Sequence, residues 1–97
     1  MENQHRVIKG YRDLSQAEID LMNEIKAHEA ATLGLVNKVH AHIQGQIIVG
    51  RNLAAGDTSE EERLDNAQPQ RWASIARTDF QTGFMALVRA VAQPLTP

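Results

Sequence analysis

The chain has 97 residues, no cysteine and a formal net charge of −2, from 10 basic and 12 acidic side chains. This length allows one small domain, and the lack of cysteine excludes disulfides and thiolate metal sites. No apolar run reaches the roughly 20 residues that a transmembrane helix requires, and the first residues lack the apolar core of a secretory signal. We therefore expect a cytoplasmic protein without a membrane partner, and the acidic balance disfavours binding to long nucleic acid.

A short basic arm, residues 1–14, precedes the first predicted helix. It carries the only tyrosine, Tyr11, with Lys9 and Arg12 close by in sequence. An exposed aromatic ring beside cations is suited to stacking on a base while a phosphate is neutralised. The alternative is a ring that packs on its own helix and leaves its hydroxyl in water. The arm is the first place where a ligand site is expected.

A long amphipathic helix is predicted over residues 15–48. Ser15 and Glu18 have the spacing of a capping box, which satisfies free backbone N–H groups at a helix start. Apolar residues then recur at intervals of mostly three and four, as on one face of a helix. They are Ile19, Met22, Ile25, Leu33, Val36, Val39, Ile43 and Ile47. Gly45 and Gly50 predict that the helix weakens or ends near residue 48.

A polar connector, residues 49–68, leads to a second long helix over residues 69–93. Thr58 or Ser59 is placed to begin a short helical turn within the connector. Pro69 suits the first turn of the second helix, because its missing N–H is not needed there. The apolar face of that helix is Trp72, Ile75, Ala76, Phe80, Phe84, Leu87, Val88 and Val91. The predicted fold is therefore all-α, an antiparallel helical hairpin in a single domain.

The apolar faces of both predicted helices are broad. Residues 47–49 are three consecutive apolar side chains, and Leu87 and Val88 are adjacent. Consecutive residues lie about 100° apart around a helix, so one partner helix cannot cover all of them. Each large apolar side chain left exposed forgoes about 1.5–3 kcal/mol. We therefore predict a homo-oligomer, with any pocket between subunits.

Two further positions are candidates for ligand contacts. Lys26 lies about 16 Å along the helix from Ser15, whereas the link from Tyr11 to Ser15 spans at most about 14 Å. Tyr11 and Lys26 of one chain can meet only if the arm folds fully back along the helix. Tyr11 of one subunit can meet Lys26 of another without such a reversal. Lysines on exposed helix faces more often serve solubility, and that alternative stays open for Lys26.

The second helix carries a possible anion site at Arg77, Thr78 and Gln81. Arg77 and Gln81 are one helical turn apart, and a guanidinium is well suited to phosphate. Gly83 costs about 1 kcal/mol relative to alanine inside a helix, so a helix or ligand is expected to approach it closely. Ordinary helix contacts of Arg77 are the alternative. His40 and His42 lie about 200° apart, so no metal site is predicted from the histidines.

Two blocks of sequence, one at each end of the chain, carry a family resemblance. The N-terminal block consists of residues 2–6 (ENQHR), 8–15 (IKGYRDLS), 18–23 (EIDLMN) and 25–26 (IK). The C-terminal block consists of residues 71–72 (RW), 77–78 (RT), 81 (Q), 83–87 (GFMAL), 89–91 (RAV) and 94 (P). Together the two blocks cover about half of the chain, and they resemble the phage anti-CBASS family of cyclic-oligonucleotide sponges. Residues 28–69 give no recognisable match.

The resemblance implies a compact homohexamer that sequesters cyclic di- and trinucleotides in the cytoplasm of the infected host, without hydrolysing them and without a cofactor. It implies that Tyr11 stacks on a base of the cyclic dinucleotide and that Lys26 contacts a phosphate, with Arg12 and Lys9 as neighbouring cations. For the trinucleotide it points to Arg77, Thr78 and Gln81. The competing hypothesis is a small helical adaptor or inhibitor that binds another protein through its apolar face.

Overall fold

The structure, a computed structural model, describes residues 12–53 and 55–95. Three helices form in chain order: α1 (Gln16–Arg51), α2 (Ser59–Ala67) and α3 (Pro69–Ala92). Helices α1 and α3 pack against each other and run antiparallel, since the start of α1 lies beside the end of α3. The prediction of an all-α hairpin with two long helices is confirmed.

The start of α1 has the predicted capping box. The Ser15 hydroxyl accepts a hydrogen bond from the Glu18 backbone N–H at 3.2 Å, and the Glu18 carboxylate accepts one from the Ser15 N–H at 2.8 Å. Two of the N–H groups that every helix start leaves free are thereby satisfied. The helix begins where the sequence predicts, one residue after its cap.

The end of α1 corrects the predicted boundary at residue 48. The helix continues through Gly45 and Gly50 to Arg51. Gly50 is buried, and a Cβ added there would lie 3.4 Å from the Glu60 side chain. The glycine therefore marks the place where α2 comes close to α1, rather than the place where α1 stops. Helix ends commonly vary by one or two residues between assignments. Here α1 extends to Arg51, past the predicted end at residue 48, and α2 packs against its last turn.

The connector forms the nine-residue helix α2, which is longer than the short turn predicted from Thr58 or Ser59. The Asp57 carboxylate accepts hydrogen bonds from the Ser59 hydroxyl at 2.7 Å and from the Ser59 N–H at 3.1 Å. These bonds lower the pKa of Asp57 and fix the start of α2. Leu64 is buried and holds α2 against the hairpin.

Helix α3 starts at Pro69, as predicted, and ends at Ala92, one residue before the predicted boundary. Gln68 adopts a left-handed conformation (φ 51°) and separates α2 from α3. Gln93 is also left-handed (φ 47°) and donates its N–H to the Arg89 carbonyl at 2.8 Å. Left-handed residues of this kind commonly terminate helices.

The core is thin, and the hairpin is long. Its extents are 69 × 22 × 17 Å with a radius of gyration of 21.0 Å, against about 13 Å for a compact 100-residue domain. The buried apolar residues are Val36, Ile43, Leu64, Ala73 and Ala92. No described side chain is completely buried. The exposed large apolar residues are Leu21, Leu35, Val39, Ile48, Val49, Leu53, Trp72, Ile75, Phe80, Met85, Leu87 and Leu95.

Many residues of the predicted apolar faces are therefore exposed in the single chain. Trp72 is 60% exposed and Leu87 51%, although both lie on the predicted face of the second helix. One helix covers only part of a broad apolar face, as the residue spacing indicated. In the described part of the chain, no helix is long and apolar enough to span a membrane.

Candidate functional site

The arm enters the described structure at Arg12. Tyr11 and Lys9, the stacking residue and a neighbouring cation of the predicted dinucleotide site, lie outside the described residues. Their predicted roles are carried forward as proposals. Arg12 is the first position of the arm whose contacts the structure defines.

The Arg12 guanidinium joins three parts of the hairpin. Its Nε donates to the Ala92 carbonyl and its Nη2 to the Val91 carbonyl, each at 3.0 Å. The guanidinium also forms an ion pair with the Glu18 carboxylate, and the two side chains are 30% and 26% exposed. The last carbonyls of a helix lack partners within it and carry partial negative charge, so a cation stabilises them. Arg12 thus caps the end of α3 and links it to the start of α1.

Glu18 has two roles at this junction, one in the capping box and one in the ion pair. The Arg12 guanidinium and the Ser15 N–H donate hydrogen bonds to its carboxylate. The bond from Arg12 is the larger cause and that from Ser15 the next, and they lower the pKa of Glu18 from 4.5 to about 2. Glu18 therefore stays ionised in the folded protein well below the pH at which an ordinary glutamate is protonated.

We expect acid to weaken the folded state partly through Glu18. Because its folded-state pKa is depressed, its stabilising contribution is complete above pH 4.5 and is lost as the pH falls through about 2. Urea unfolding of the wild type and Glu18→Gln between pH 2 and 7 measures this contribution. The difference in free energy of unfolding between the wild type and Glu18→Gln should shrink as the pH is lowered from 4.5 to about 2. Glu24→Gln, on the same helix, controls for the loss of a negative charge. If the stability difference between the wild type and Glu18→Gln did not depend on pH, the lowered pKa of Glu18 would be contradicted.

Lys26 is exposed on α1, ten residues after the helix begins. The described residues provide no ion-pair partner for its ammonium group. An exposed lysine in the first third of α1 is accessible to an anion from outside the chain. Within the described residues, the structure does not bring Lys26 to Arg12, which is engaged at the end of α3.

The three predicted trinucleotide residues do not form one pocket in the single chain. Arg77 is half-buried, and its Nη2 donates to Asn37 Oδ1 on α1 at 2.5 Å. Thr78 lines a shallow surface depression of ≈ 390 Å³ that neither Arg77 nor Gln81 lines. Gln81 is exposed. Arg77 therefore contributes to the contact between the long helices, as the alternative interpretation expected.

Two further depressions were not predicted. One, of ≈ 330 Å³, lies where α2 joins the long helices and is lined by Ile47, Arg51, Glu61, Leu64, Asp65, Gln68, Pro69, Gln70 and Arg71. Another, of ≈ 350 Å³, lies between α1 and α3 and is lined mainly by apolar side chains: Leu21, Glu24, Ile25, His28, Thr32, Phe84 and Leu87. Both combine residues far apart in sequence, so local spacing gave no signal for them.

The glycine in α3 lies on an exposed apolar face. A Cβ added at Gly83 would have no atom of the described residues within 4 Å, apart from its own helix backbone. Phe80 and Leu87, one turn to either side, are both exposed. The close approach predicted at Gly83 is therefore not made by the described part of the same chain. Among the described residues, no His, Asp and Glu side chains cluster closely enough to hold a metal ion.

The fold defines a helical-hairpin protein in which, among the described candidate cations, Arg12 lies where the two long helices end and begin, Lys26 is exposed on α1, and Arg77 contacts Asn37 between the helices. The sequence matches the family model described as Acb2/Tad1, hairpin domain, over residues 3–92. The chain is also 44% identical, over 105 aligned positions, to Anti-CBASS protein 2 of Pseudomonas phage JBD67, and the alignment covers 97% of each protein. The chain belongs to the Acb2/Tad1 hairpin-domain family.

Proposed function

We propose that this protein is a phage immune-evasion protein that sequesters cyclic di- and trinucleotides and so prevents activation of host CBASS effectors. The observation that carries the proposal is the near full-length similarity to a phage protein named for anti-CBASS activity. The match extends through the arm and both long helices, so it includes the positions proposed to bind ligand. The site of action is the host cytoplasm.

The proposed dinucleotide site combines Tyr11 and Lys26 from different subunits. Tyr11 stacks on a base and Lys26 contacts a phosphate, with Lys9 as an additional cation. A cyclic dinucleotide has two bases, two phosphates and approximate two-fold symmetry. A two-fold subunit interface presents each of these residues twice, which matches that symmetry. The exposed position of Lys26 supports this arrangement, because the ammonium is accessible from outside its own chain.

The proposed assembly is a homohexamer formed through the exposed apolar faces. Large apolar side chains are exposed on both long helices, and contiguous exposed apolar surface is typical of interaction sites. Gly83 supports the placement of one contact on α3, since the glycine is costly in a helix and nothing in the described chain uses its small size. Junctions among several subunits place Arg77, Thr78 and Gln81 of neighbouring chains around a cyclic trinucleotide.

The same exposed faces support a second candidate, a helical adaptor that binds another protein. Trp72 and Phe80 are aromatic and exposed, and such side chains are enriched in protein interfaces. A monomer that binds no cyclic nucleotide would favour this second function.

We expect the protein to bind the cyclic dinucleotide and to release it intact, without hydrolysis. In the test, 3′,3′-cGAMP is incubated with excess protein, freed by heat denaturation and analysed by chromatography. Sequestration predicts depletion of free ligand before heating and full recovery of the cyclic compound afterwards. A linear dinucleotide in the heated sample would show that the protein hydrolyses its ligand, and a buffer incubation without protein controls for thermal breakdown.

A further inference from the structure

Arg12 was predicted as a cation of the dinucleotide site because it follows Tyr11. In the structure, the Arg12 guanidinium is bound within the hairpin instead. It donates to the carbonyls of Val91 and Ala92 and pairs with Glu18, which is itself held by the capping box. A guanidinium has five N–H donors in a rigid planar fork, and here several of them are already committed within the chain.

We infer that Arg12 is a positioning residue, which fixes where the arm leaves the hairpin and so holds Tyr11 ready to stack on the ligand. This inference rests on the proposed function, in which Tyr11 binds a base. Consecutive Cα atoms are about 3.8 Å apart, so a side chain that locks Arg12 to two helices also limits where Tyr11 can reach. An arm ordered before binding loses less conformational entropy when the ligand arrives.

Glu18 completes the arrangement, because it holds the Arg12 guanidinium from the side of α1. The helix carbonyls hold it from the side of α3. The connection therefore requires the hairpin to be closed at this end, with the end of α3 beside the start of α1. Arg12, where the arm joins the hairpin, is therefore held by tertiary contacts.

The substitution Glu18→Gln separates a positioning role from direct phosphate contact, because the two roles predict opposite signs. Glutamine keeps a capping box possible but removes the charge that pairs with Arg12. If Arg12 positions the arm, Glu18→Gln weakens binding of 3′,3′-cGAMP, by up to about tenfold when the arm must be ordered on binding. If Arg12 contacts phosphate, removing the competing carboxylate leaves binding unchanged or strengthens it. Glu61→Gln on α2 is the matched control for charge.

A second measurement needs no ligand. Trypsin cleaves after arginine, and cleavage follows the population of molecules in which the site is open. With Arg12 held by Glu18 and α3, cleavage of the Arg12–Asp13 bond should be slow in the wild type and several-fold faster in Glu18→Gln, as measured by mass spectrometry. Cleavage after Lys38, an exposed residue far along α1 from this junction, serves as the internal reference for global unfolding, and circular dichroism confirms that each variant is folded.

The outcomes separate this inference from the proposed function. Faster cleavage with weaker binding supports the positioning role. Equal cleavage rates, or tighter binding in Glu18→Gln, overturn it while leaving sequestration intact. If the wild type binds no cyclic nucleotide, the proposed function fails. The inference that Arg12 prepares a ligand site then fails with it, whatever the cleavage rates show.

Arg12→Gln should weaken binding without making the salt dependence of the affinity shallower. A shallower salt dependence would show that Arg12 contacts phosphate directly.

Discussion

Tyr11→Ala is expected to weaken binding of 3′,3′-cGAMP by about 1–3 kcal/mol for each base that loses its stacking partner. In a two-fold site both bases lose a ring at once, so the loss of affinity is the largest that we expect from any single substitution. Isothermal titration calorimetry measures it directly. The physical reason is that alanine removes the flat aromatic surface while leaving the cations of the arm in place.

Tyr11→Phe is the matched control, because phenylalanine keeps the ring and removes only the hydroxyl. It should bind within a few-fold of the wild type if stacking is the main contribution. Wild-type affinity in Tyr11→Ala would place the dinucleotide site elsewhere on the protein. A loss as large in Tyr11→Phe as in Tyr11→Ala would mean that the hydroxyl, rather than the ring, recognises the ligand.

Gly83→Leu is expected to break the assembly while leaving the single chain stable. Within the described chain, a side chain at this position has open space, and leucine favours the helix by up to about 1 kcal/mol over glycine. If another subunit packs closely on Gly83, the added side chain overfills the interface at a cost of about 1–3 kcal/mol for each copy. Light scattering should then show a smaller particle, while circular dichroism shows no loss of helix.

Thr82→Leu is the control for this substitution, since it places a leucine at the neighbouring exposed position, about 100° around the helix. It should leave the particle mass unchanged. A Gly83→Leu protein with wild-type mass and higher thermal stability would show that no subunit approaches α3 at the glycine. A wild type that is monomeric at working concentration would overturn the oligomer altogether.

Local signals predicted the helix starts well. The capping box at Ser15 and the proline at position 69 each depend on chemistry within a few residues, and both helices begin there. The end of α1 was predicted less well, because Gly50 was interpreted as a stop signal. In the structure Gly50 is helical and buried, and α2 contacts it through Glu60, ten residues later. Such a contact cannot be inferred from the spacing of residues in the helix alone.

The contacts of Arg12 at the candidate site also could not be inferred from local residue spacing. Sequence placed a cation next to Tyr11, and a basic residue near an aromatic one suggests ligand binding. Besides Glu18, its guanidinium is bound by the carbonyls of Val91 and Ala92, which lie about eighty residues away. Only the antiparallel packing of α1 and α3 brings them together. Arg77 is similar, since its partner Asn37 lies on the other long helix.

The central claim is that subunits share a binding site for a cyclic dinucleotide, and the stoichiometry of binding tests it most directly. Titration calorimetry with 3′,3′-cGAMP, with the chain concentration determined independently, gives the number of ligands per chain. A site built from Tyr11 and Lys26 of two subunits predicts one ligand for every two chains. One ligand per chain would contradict the two-fold shared site, and no binding at micromolar protein would contradict sequestration.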